Sequence, residues 1–177
     1  MKIIFLGPQG SGKSTQARSL AEKLNLPYIE MGQIFRDLAK VDSEIGKKIK
    51  ESIDAGNLVP DEIAISVLEE KINQPESRNG FILDGYPRNQ AQLDGLKTEI
   101  DKVFYVRVED VEAIRRLASR GRHDDTDEAL KRRLEIYHEN TEPLLAFFKE
   151  KGILEEINGD RPIEVVSKEL IEKTKNE

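Results

Sequence analysis

The chain has 177 residues, which is enough for one well-buried core with small insertions but not for two full domains. It contains no cysteine and only two histidines, so disulfides, thiolate catalysis and a cysteine-based zinc site are excluded, and a histidine metal cluster is not expected. Its net charge of −6 argues against a polynucleotide-binding surface, because such surfaces are strongly basic.

A glycine-rich motif follows the first apolar run, at residues 3–6. Residues 7–15 read Gly-Pro-Gln-Gly-Ser-Gly-Lys-Ser-Thr, which fits the phosphate-binding loop pattern. Its glycines allow several backbone N–H groups to point at one anion, and the following helix directs its positive end to the same place. Lys13 would bridge the outer phosphates, and the Ser14 hydroxyl would bind a magnesium ion. A glycine-rich turn that binds nothing is the alternative, but the flanking strand and helix patterns argue against it.

Five apolar runs alternate with amphipathic segments of helical length. They lie at residues 3–6, 27–29, 81–83, 103–108 and 153–157. This alternation predicts an α/β fold, in which a five-stranded parallel sheet is covered by helices on both faces. Ligands of such sheets bind beyond the carboxyl ends of the strands, which is where residues 7–15 fall.

The segment at residues 31–60 departs from this alternation, because it contains two helical patterns with no strand between them. Ile34, Phe35 and Leu38 share one face of the first pattern, and isoleucines recur every fourth residue in the second until Gly56 ends it. We expect an insertion that packs as a small helical subdomain. Two ordinary covering helices are the alternative.

The segment after this insertion contains further candidate site residues. Asp61 is expected to cap the helix that begins there. Asp84 ends an apolar run beside the phosphate-binding loop, where a carboxylate can contact magnesium through water, although Asp84 could also belong to a simple turn. Arg88 would place a guanidinium near the same strand end, and Gln92 could offer its amide to the edge of a base.

Six arginines lie between residues 115 and 133 of this acidic chain, so a small polyanion is the expected partner of that segment. Residues 121–127 form a polar loop between two helical patterns. Its arginines and aspartates would form ion pairs as the loop folds over a bound anion, and such surface pairs are weak enough for the loop to reopen. Asp125 could alternatively be a helix cap.

Together these motifs resemble those of adenylate kinases, which belong to the nucleoside monophosphate kinase family of P-loop kinases. The resemblance rests on residues 7–15, residues 84–88 with Gln92, residues 121–125 and residues 134–144, and it extends over nearly the whole chain. It implies an enzyme that reversibly converts Mg·ATP and AMP to two ADP. The reaction would be an in-line phosphoryl transfer that relies on positioning and on lysine and arginine clamping rather than on a covalent nucleophile.

The resemblance also implies roles for individual residues. The catalytic set is Lys13, Asp84, Arg88, Arg122 and Arg133. The ATP-binding set is Gly10, Ser11, Gly12, Lys13, Ser14, Thr15, Arg116, Arg120 and Arg161. The AMP-binding set is Met31, Arg36, Asn57, Val59, Gly85, Arg88, Gln92, Arg122 and Arg133. Ser14 and Asp84 would hold Mg²⁺, Asp84 through water, and Asp124 and Asp125 of the lid would orient the arginines.

The expected organisation is a core domain at residues 1–29, 60–118 and 128–177, a nucleoside-monophosphate-binding subdomain at residues 30–59, and a minimal lid at residues 119–127. A lid this short leaves no room for a zinc site. We expect a monomer that uses ATP, AMP and ADP and binds neither nucleic acid nor membrane. The chain has no recognisable signal peptide and no apolar run that could span a bilayer, so the cytoplasm is the expected location.

Two further positions depart from the adenylate kinase pattern: Met31 replaces the usual threonine and Gln33 the usual aspartate. Both changes could relax discrimination among acceptor bases. The alternatives are therefore a UMP/CMP kinase or a kinase of broad specificity, although Gln92 is the adenylate-type residue. More remote alternatives are a slow nucleotide-dependent switch or assembly factor, and a nucleotide-binding structural module.

Overall fold

A computed structural model describes residues 1–119, 121 and 125–175. Its centre is a parallel sheet of five strands in the order β2-β3-β1-β4-β5. The strands are β1 Lys2–Leu6, β2 Tyr28–Glu30, β3 Phe81–Asp84, β4 Lys102–Arg107 and β5 Leu154–Asn158. The α/β fold with a five-stranded parallel sheet is thus confirmed.

Nine α-helices surround this sheet in the described part of the chain. They are α1 Lys13–Leu24, α2 Met31–Leu38, α3 Glu44–Asp54, α4 Asp61–Ile72, α5 Gln90–Asp94, α6 Asp110–Ala118, α7 Asp127–Ile136, α8 Leu144–Glu150 and α9 Ile163–Lys175. A 3₁₀ turn at Pro75–Ser77 and a π-helical segment at Tyr137–Thr141 complete the described elements. None of the described helices has the length and apolar character needed to cross a membrane.

The core has two layers because successive side chains of a strand point to opposite faces of the sheet. Ile3 and Phe5 of β1 belong to a buried cluster with apolar residues of α1 and α9. Ile4 and Leu6 belong to a second cluster with apolar residues of α4 and α8. These four side chains, from Ile3 to Leu6, are at most 2% exposed, as expected for a central parallel strand covered on both sides.

The segment between β2 and α4 contains α2 and α3, which pack against each other. Ile49 of α3 is fully buried, whereas Ile34 and Phe35 of α2 pack against the second cluster, the one that contains Ile4 and Leu6. No strand occurs between these helices in residues 31–60, all of which are described. The division into a core, a subdomain at residues 30–59 and a lid at residues 119–127 stays a prediction.

The two expected helix caps lie one residue away from their predicted positions. Pro60 occupies the N-cap position of α4 and Asp61 is its first residue, so the prediction that Asp61 caps this helix was wrong. Thr126 is the N-cap of α7 and its hydroxyl accepts a hydrogen bond from the Ala129 N–H at 3.2 Å. Asp125 is therefore available for an ion pair.

The strand order brings the predicted motifs together. Because β1 and β3 are neighbours, Phe5 is in register with Asp84, and the phosphate-binding loop begins two residues after Phe5. The carboxyl ends of β1 and β3 thus place Asp84 beside the start of the loop. This arrangement follows the general rule for ligand sites in parallel sheets.

Candidate active site

The phosphate-binding loop at residues 7–15 connects β1 to α1, and its backbone needs glycine at specific positions. Gly10 and Gly12 have φ angles of 86° and 87°, which side-chain-bearing residues rarely adopt. A Cβ atom at Gly10 would lie only 2.4 Å from the carbonyl oxygen of Ala113 in α6. The loop therefore packs directly against the helix that leads to the arginine-rich segment.

Lys13 is the first residue of α1, and its side chain is buried inside the loop. Its Nζ donates a long hydrogen bond of 3.5 Å to the carbonyl oxygen of Pro8. Lys13 and Ser14 both line a cavity that Arg36, Asp84 and Arg88 also line, which we call the central cavity. The Lys13 ammonium group thus lies where the backbone amides of the loop and the positive end of α1 also meet.

Asp84 ends β3 in an almost fully buried position, at 2% exposure. Its Oδ2 accepts a hydrogen bond of 3.0 Å from the Tyr28 hydroxyl, whereas its Oδ1 is buried with no hydrogen-bond partner among the described residues. Burial raises the pKa of Tyr28, and the nearby Asp84 and Glu30 carboxylates raise it further, so Tyr28 remains a donor. The lone pairs of Oδ1 leave Asp84 able to bind a hydrated cation at the loop.

Arg36 brings positive charge to the opposite side of the central cavity. Its guanidinium donates to Glu30 Oε1 at 3.3 Å and to Gln33 Oε1 at 3.0 Å and 3.2 Å. Glu30 comes from the end of β2, and Gln33 lies one turn before Arg36 in α2. Gln33, which departs from the adenylate kinase pattern, therefore orients an arginine of the site.

Arg88 lines the central cavity, and its side chain and its backbone carbonyl each make a hydrogen bond. Its Nε donates to the Gly85 carbonyl at 2.8 Å, and its own carbonyl accepts a bond of 2.7 Å from the Thr141 hydroxyl. Burial lowers the pKa of Arg88, the Asp84 carboxylate raises it, and the nearby Arg133 charge lowers it. Two guanidinium groups therefore converge here, as an arrangement that binds a highly charged anion requires.

Arg133 of α7 connects three parts of the chain at the cavity wall. Its Nη1 pairs with Asp125 at 2.9 Å, and the side chains of Arg133 and Asp125 are only 11% and 4% exposed. Its Nη2 donates to the Ile53 carbonyl of α3 at 3.2 Å. Arg133 therefore contacts the predicted lid through Asp125 and the predicted subdomain through Ile53, and it lines the site.

A second cleft lies on the other side of the phosphate-binding loop, between the loop, α6 and the start of α9. Arg116 crosses it, because its Nη1 donates to the Gly159 carbonyl at 3.0 Å and its Nε pairs with Glu112 at 2.6 Å. Hydrogen bonds from Arg115 and Arg116 lower the pKa of Glu112 to about 2. Arg161 and Ile163 also line it, so this cleft combines two arginines with apolar side chains.

The structure brings most of the predicted site residues together in these two places. The central cavity is lined by Lys13, Ser14, Arg36, Asn57, Val59, Asp84, Gly85, Arg88, Gln92 and Arg133. The second cleft is lined by Ser11, Gly12, Thr15, Arg116 and Arg161, and Gly10 lies in the loop between the two. Arg120, Arg122 and Asp124 lie outside the described residues.

Met31 is placed differently from the other predicted acceptor-site residues. It is fully buried in the cluster that contains Ile4 and Leu6 and is not among the residues that line the central cavity. Its contact with AMP stays a prediction. The apolar side chain fits this position because its surroundings are apolar.

Sequence reasoning missed several residues that support the site. Tyr28 holds Asp84, Thr141 holds the Arg88 backbone, and Asp61 accepts hydrogen bonds from Asn89 and Gln92. Gln9 of the phosphate-binding loop also lines the cavity. The position of Gln9 inside the loop motif could have indicated this role, whereas the other three depend on contacts between distant parts of the chain.

Comparison with known proteins agrees with this geometry. A family model described as adenylate kinase matches residues 5–153. The chain belongs to the adenylate kinase family. Membership confirms the enzyme class that the motifs predicted, a nucleotide-binding kinase that transfers a phosphoryl group reversibly between ATP and AMP.

Individual relatives cover almost the whole chain. An adenylate kinase from Thermobifida fusca is 41% identical over 178 residues, with 94% of each chain covered. One from Archaeoglobus fulgidus is 36% identical over 208 residues, with 96% of each chain covered. Adenylate kinase 1 from a Nostoc species is 41% identical over 176 residues, also with 96% of each chain covered. The alignment with the Archaeoglobus protein is longer than this chain, so that relative contains additional residues.

Proposed function

We propose that this chain transfers a phosphoryl group from Mg·ATP to AMP in the central cavity, reversibly and with two ADP as products. One observation carries the proposal: Lys13 and Ser14 of the phosphate-binding loop line the same cavity as Arg36, Arg88 and Gln92. A site for donor phosphates therefore opens directly into a pocket with an anion-binding end and an amide-bearing end. A nucleoside monophosphate has that complementary shape and charge.

The described cations divide the phosphate contacts between them. Lys13 contacts the transferred group from the donor side, while Arg36 and Arg88 hold the acceptor phosphate. Arg133 faces the same space and stabilises negative charge that spreads over the transferred group. Preorganised charges of this kind lower the barrier because they need little reorganisation during the reaction.

The bases occupy the two ends of the site. Gln92 and the backbone at Val59 read the acceptor base, and Arg116 with Arg161 holds the donor adenine in the second cleft. By resemblance to the family, Arg120 is assigned to the ATP phosphates, Arg122 to the charge of the transferred group and to AMP, and Asp124 to the orientation of the lid arginines. No general base is required, because phosphoryl transfer depends mainly on positioning and electrostatics.

Magnesium fits the residues beside the loop. Asp84 Oδ1 is a buried carboxylate oxygen with no hydrogen-bond partner among the described residues, and Ser14 lines the same cavity. Oxygen ligands and bound waters are the coordination that Mg²⁺ prefers. Ser14 and Asp84, the latter through water, would hold the ion, which would neutralise charge on the donor phosphates.

Steady-state kinetics with Mg·ATP and, in parallel, AMP, CMP, UMP and GMP test the function. We expect kcat/KM for AMP to exceed that for the other acceptors by about a hundredfold, a difference of roughly 2.7 kcal/mol. Lys13→Met should abolish turnover while the unfolding transition persists. Acceptors that differ by less than about tenfold would instead define a kinase of broad specificity, and an absence of multiple turnover with every acceptor would favour a nucleotide-dependent switch.

We also propose that the chain acts as a monomer in the cytoplasm and uses no zinc. All described parts of the site come from one chain, so turnover per enzyme should not change with protein concentration. Light scattering during size exclusion gives the mass directly. A specific activity that rises with enzyme concentration would contradict the monomer.

A further inference from the structure

Asp61, the first residue of α4, holds two side-chain amides beside the central cavity. Its Oδ1 accepts hydrogen bonds of 2.9 Å from Gln92 Nε2 and of 2.9 Å from Asn89 Nδ2. Asn89 in turn is the N-cap of α5, and its Oδ1 accepts the Gln92 N–H at 2.9 Å. A carboxylate from α4 thus organises the start of α5, where the acceptor base is expected to bind.

The Gln92 amide has one permitted orientation in this network. Its Oε1 accepts the Arg88 N–H at 2.9 Å while its Nε2 donates to Asp61. A flipped amide would place oxygen against the Asp61 carboxylate and nitrogen against the Arg88 N–H, so both contacts would become repulsive. The side chain is 2% exposed, so water cannot readily replace either contact.

A fixed amide can distinguish bases by the polarity of their edges. After its two internal bonds, Gln92 retains one hydrogen on Nε2 and one lone pair on Oε1 for a ligand. A 6-aminopurine presents an amino donor beside a ring-nitrogen acceptor, whereas a 6-oxopurine presents an oxygen acceptor beside an N–H donor. In one pose of the base, an amide that suits the first edge is mismatched with the second.

We infer that Asp61 determines acceptor specificity as a positioning residue, by locking the Gln92 amide so that 6-amino bases are accepted and 6-oxo bases rejected. The inference rests on the proposed function, because it requires Gln92 to read the acceptor base. Asp61 itself does not touch the reacting atoms. The same helix start is also held from Tyr86, whose hydroxyl donates to the Gln92 carbonyl at 2.7 Å.

The test compares AMP with inosine monophosphate, which differs from AMP only at the 6-position and the adjacent ring nitrogen. Asp61→Ala removes the acceptor of the Gln92 amide, so a flip costs only the Arg88 contact, and we expect the AMP-to-IMP ratio of kcat/KM to fall about tenfold or more. Asp61→Asn keeps the shape, and its oxygen can still accept from both Gln92 and Asn89. A flip in this variant would cost the Asn89 contact as well, so the ratio should fall less. The change should appear in KM for the acceptor, with KM for ATP and kcat with AMP nearly constant.

Glu62→Gln is the matched control, because Glu62 also lies in the first turn of α4 and is exposed. It removes the same charge from the helix N-terminus without touching Gln92, so its ratio should equal that of the parent chain. Thermal unfolding verifies that each variant is folded.

Three outcomes overturn the inference, and each tests a different step. If Gln92→Leu lowers the AMP-to-IMP ratio but folded Asp61→Asn and Asp61→Ala stay within about twofold of the parent chain, Gln92 reads the base without a lock and the proposed function stands. If Gln92→Leu leaves the ratio unchanged, the assignment of the acceptor base itself fails, and the inference fails with it. An equal loss in Glu62→Gln would attribute the effect to the charge of the helix terminus and would also refute the inference.

Discussion

Replacement of Gly10 by alanine tests how tightly the phosphate-binding loop is built against α6. At the Gly10 φ angle of 86°, alanine adopts a left-handed conformation that costs about 1–2 kcal/mol. The added Cβ would also lie 2.4 Å from the Ala113 carbonyl oxygen and 2.9 Å from its carbon, so the loop or α6 must shift. Overpacking of this kind costs about 1–3 kcal/mol more.

Two other glycines distinguish the cost of the left-handed backbone conformation from the cost of a steric clash. Gly12 has nearly the same φ angle, 87°, but its Cβ would meet only Arg116 Nη1 at 3.9 Å. Gly152, between α8 and β5, has a φ of 72° and no described heavy atom within 4 Å. Gly12→Ala and Gly152→Ala should therefore lose about 1–2 kcal/mol of unfolding free energy, and Gly10→Ala about 2–5 kcal/mol.

Urea unfolding measures these losses, and kcat/KM for Mg·ATP reports the displacement of the loop. Because a shift of about 1 Å in catalytic groups can lower activity by about a hundredfold, Gly10→Ala should lose activity on that scale while Gly152→Ala stays close to the parent chain. A Gly10→Ala variant that is no less stable than Gly12→Ala would show that α6 yields without cost. That result would refute the argument that the loop is wedged against Ala113.

Three further predictions concern residues around the site. Tyr28→Phe removes the hydrogen bond to the buried Asp84 and should lower the unfolding free energy by about 1–3 kcal/mol, measured by urea unfolding; a loss below about 0.3 kcal/mol would show that Asp84 does not depend on Tyr28. Glu112→Gln frees Arg116 and should raise KM for ATP about two- to fivefold, whereas Glu109→Gln, at the start of the same helix, should not. Hydrogen bonding to Glu142 and Asp110 raises the pKa of His138, so the stability that His138 contributes is complete below the unfolded-state pKa of about 6.5 and is lost as pH rises through the higher folded-state pKa. The Tm difference between the parent chain and His138→Gln should therefore be larger at about pH 5.5 than at about pH 9. A Tm difference that does not change with pH would contradict the pairing.

The sequence predicted the elements that depend on local patterns. Each of the five apolar runs forms a strand of the parallel sheet, and the run that ends in Asp84 is adjacent to β1. Strand patterns, a phosphate-loop motif and the rule for parallel sheets are local or general, so they could be combined without coordinates. Asp84, the second residue predicted to bind magnesium, could be placed beside the loop for that reason.

The supporting hydrogen bonds could not be predicted in the same way. Asp61 and Gln92 are 31 residues apart, and the Tyr28 hydroxyl contacts a carboxylate 56 residues later. Asp61 had a plausible local explanation as a helix cap, and nothing in its neighbouring residues indicates that it faces α5 instead. The Asp61 contact depends on how α4 and α5 cross, which hydrophobic patterns specify only coarsely.

The charge of the chain and the charge of its site are reconciled by the partners of the arginines. Arg36 pairs with Glu30, Arg116 with Glu112 and Arg133 with Asp125, so each of these guanidinium groups is oriented by a carboxylate before a phosphate arrives. A chain with a net charge of −6 can therefore still present cations to the cavity, because carboxylates hold these arginines in position.

Arg88 differs from these arginines in its hydrogen-bonded partner. Its guanidinium donates to the Gly85 carbonyl, and burial together with the Arg133 charge lowers its pKa despite the nearby Asp84. A dianionic phosphate would relieve both the desolvation and the repulsion between Arg88 and Arg133, whereas at Arg36 it would compete with a carboxylate already in place. Arg88 should therefore gain most from phosphate binding. It lies near Asp84, where we propose that the charges of both substrates meet.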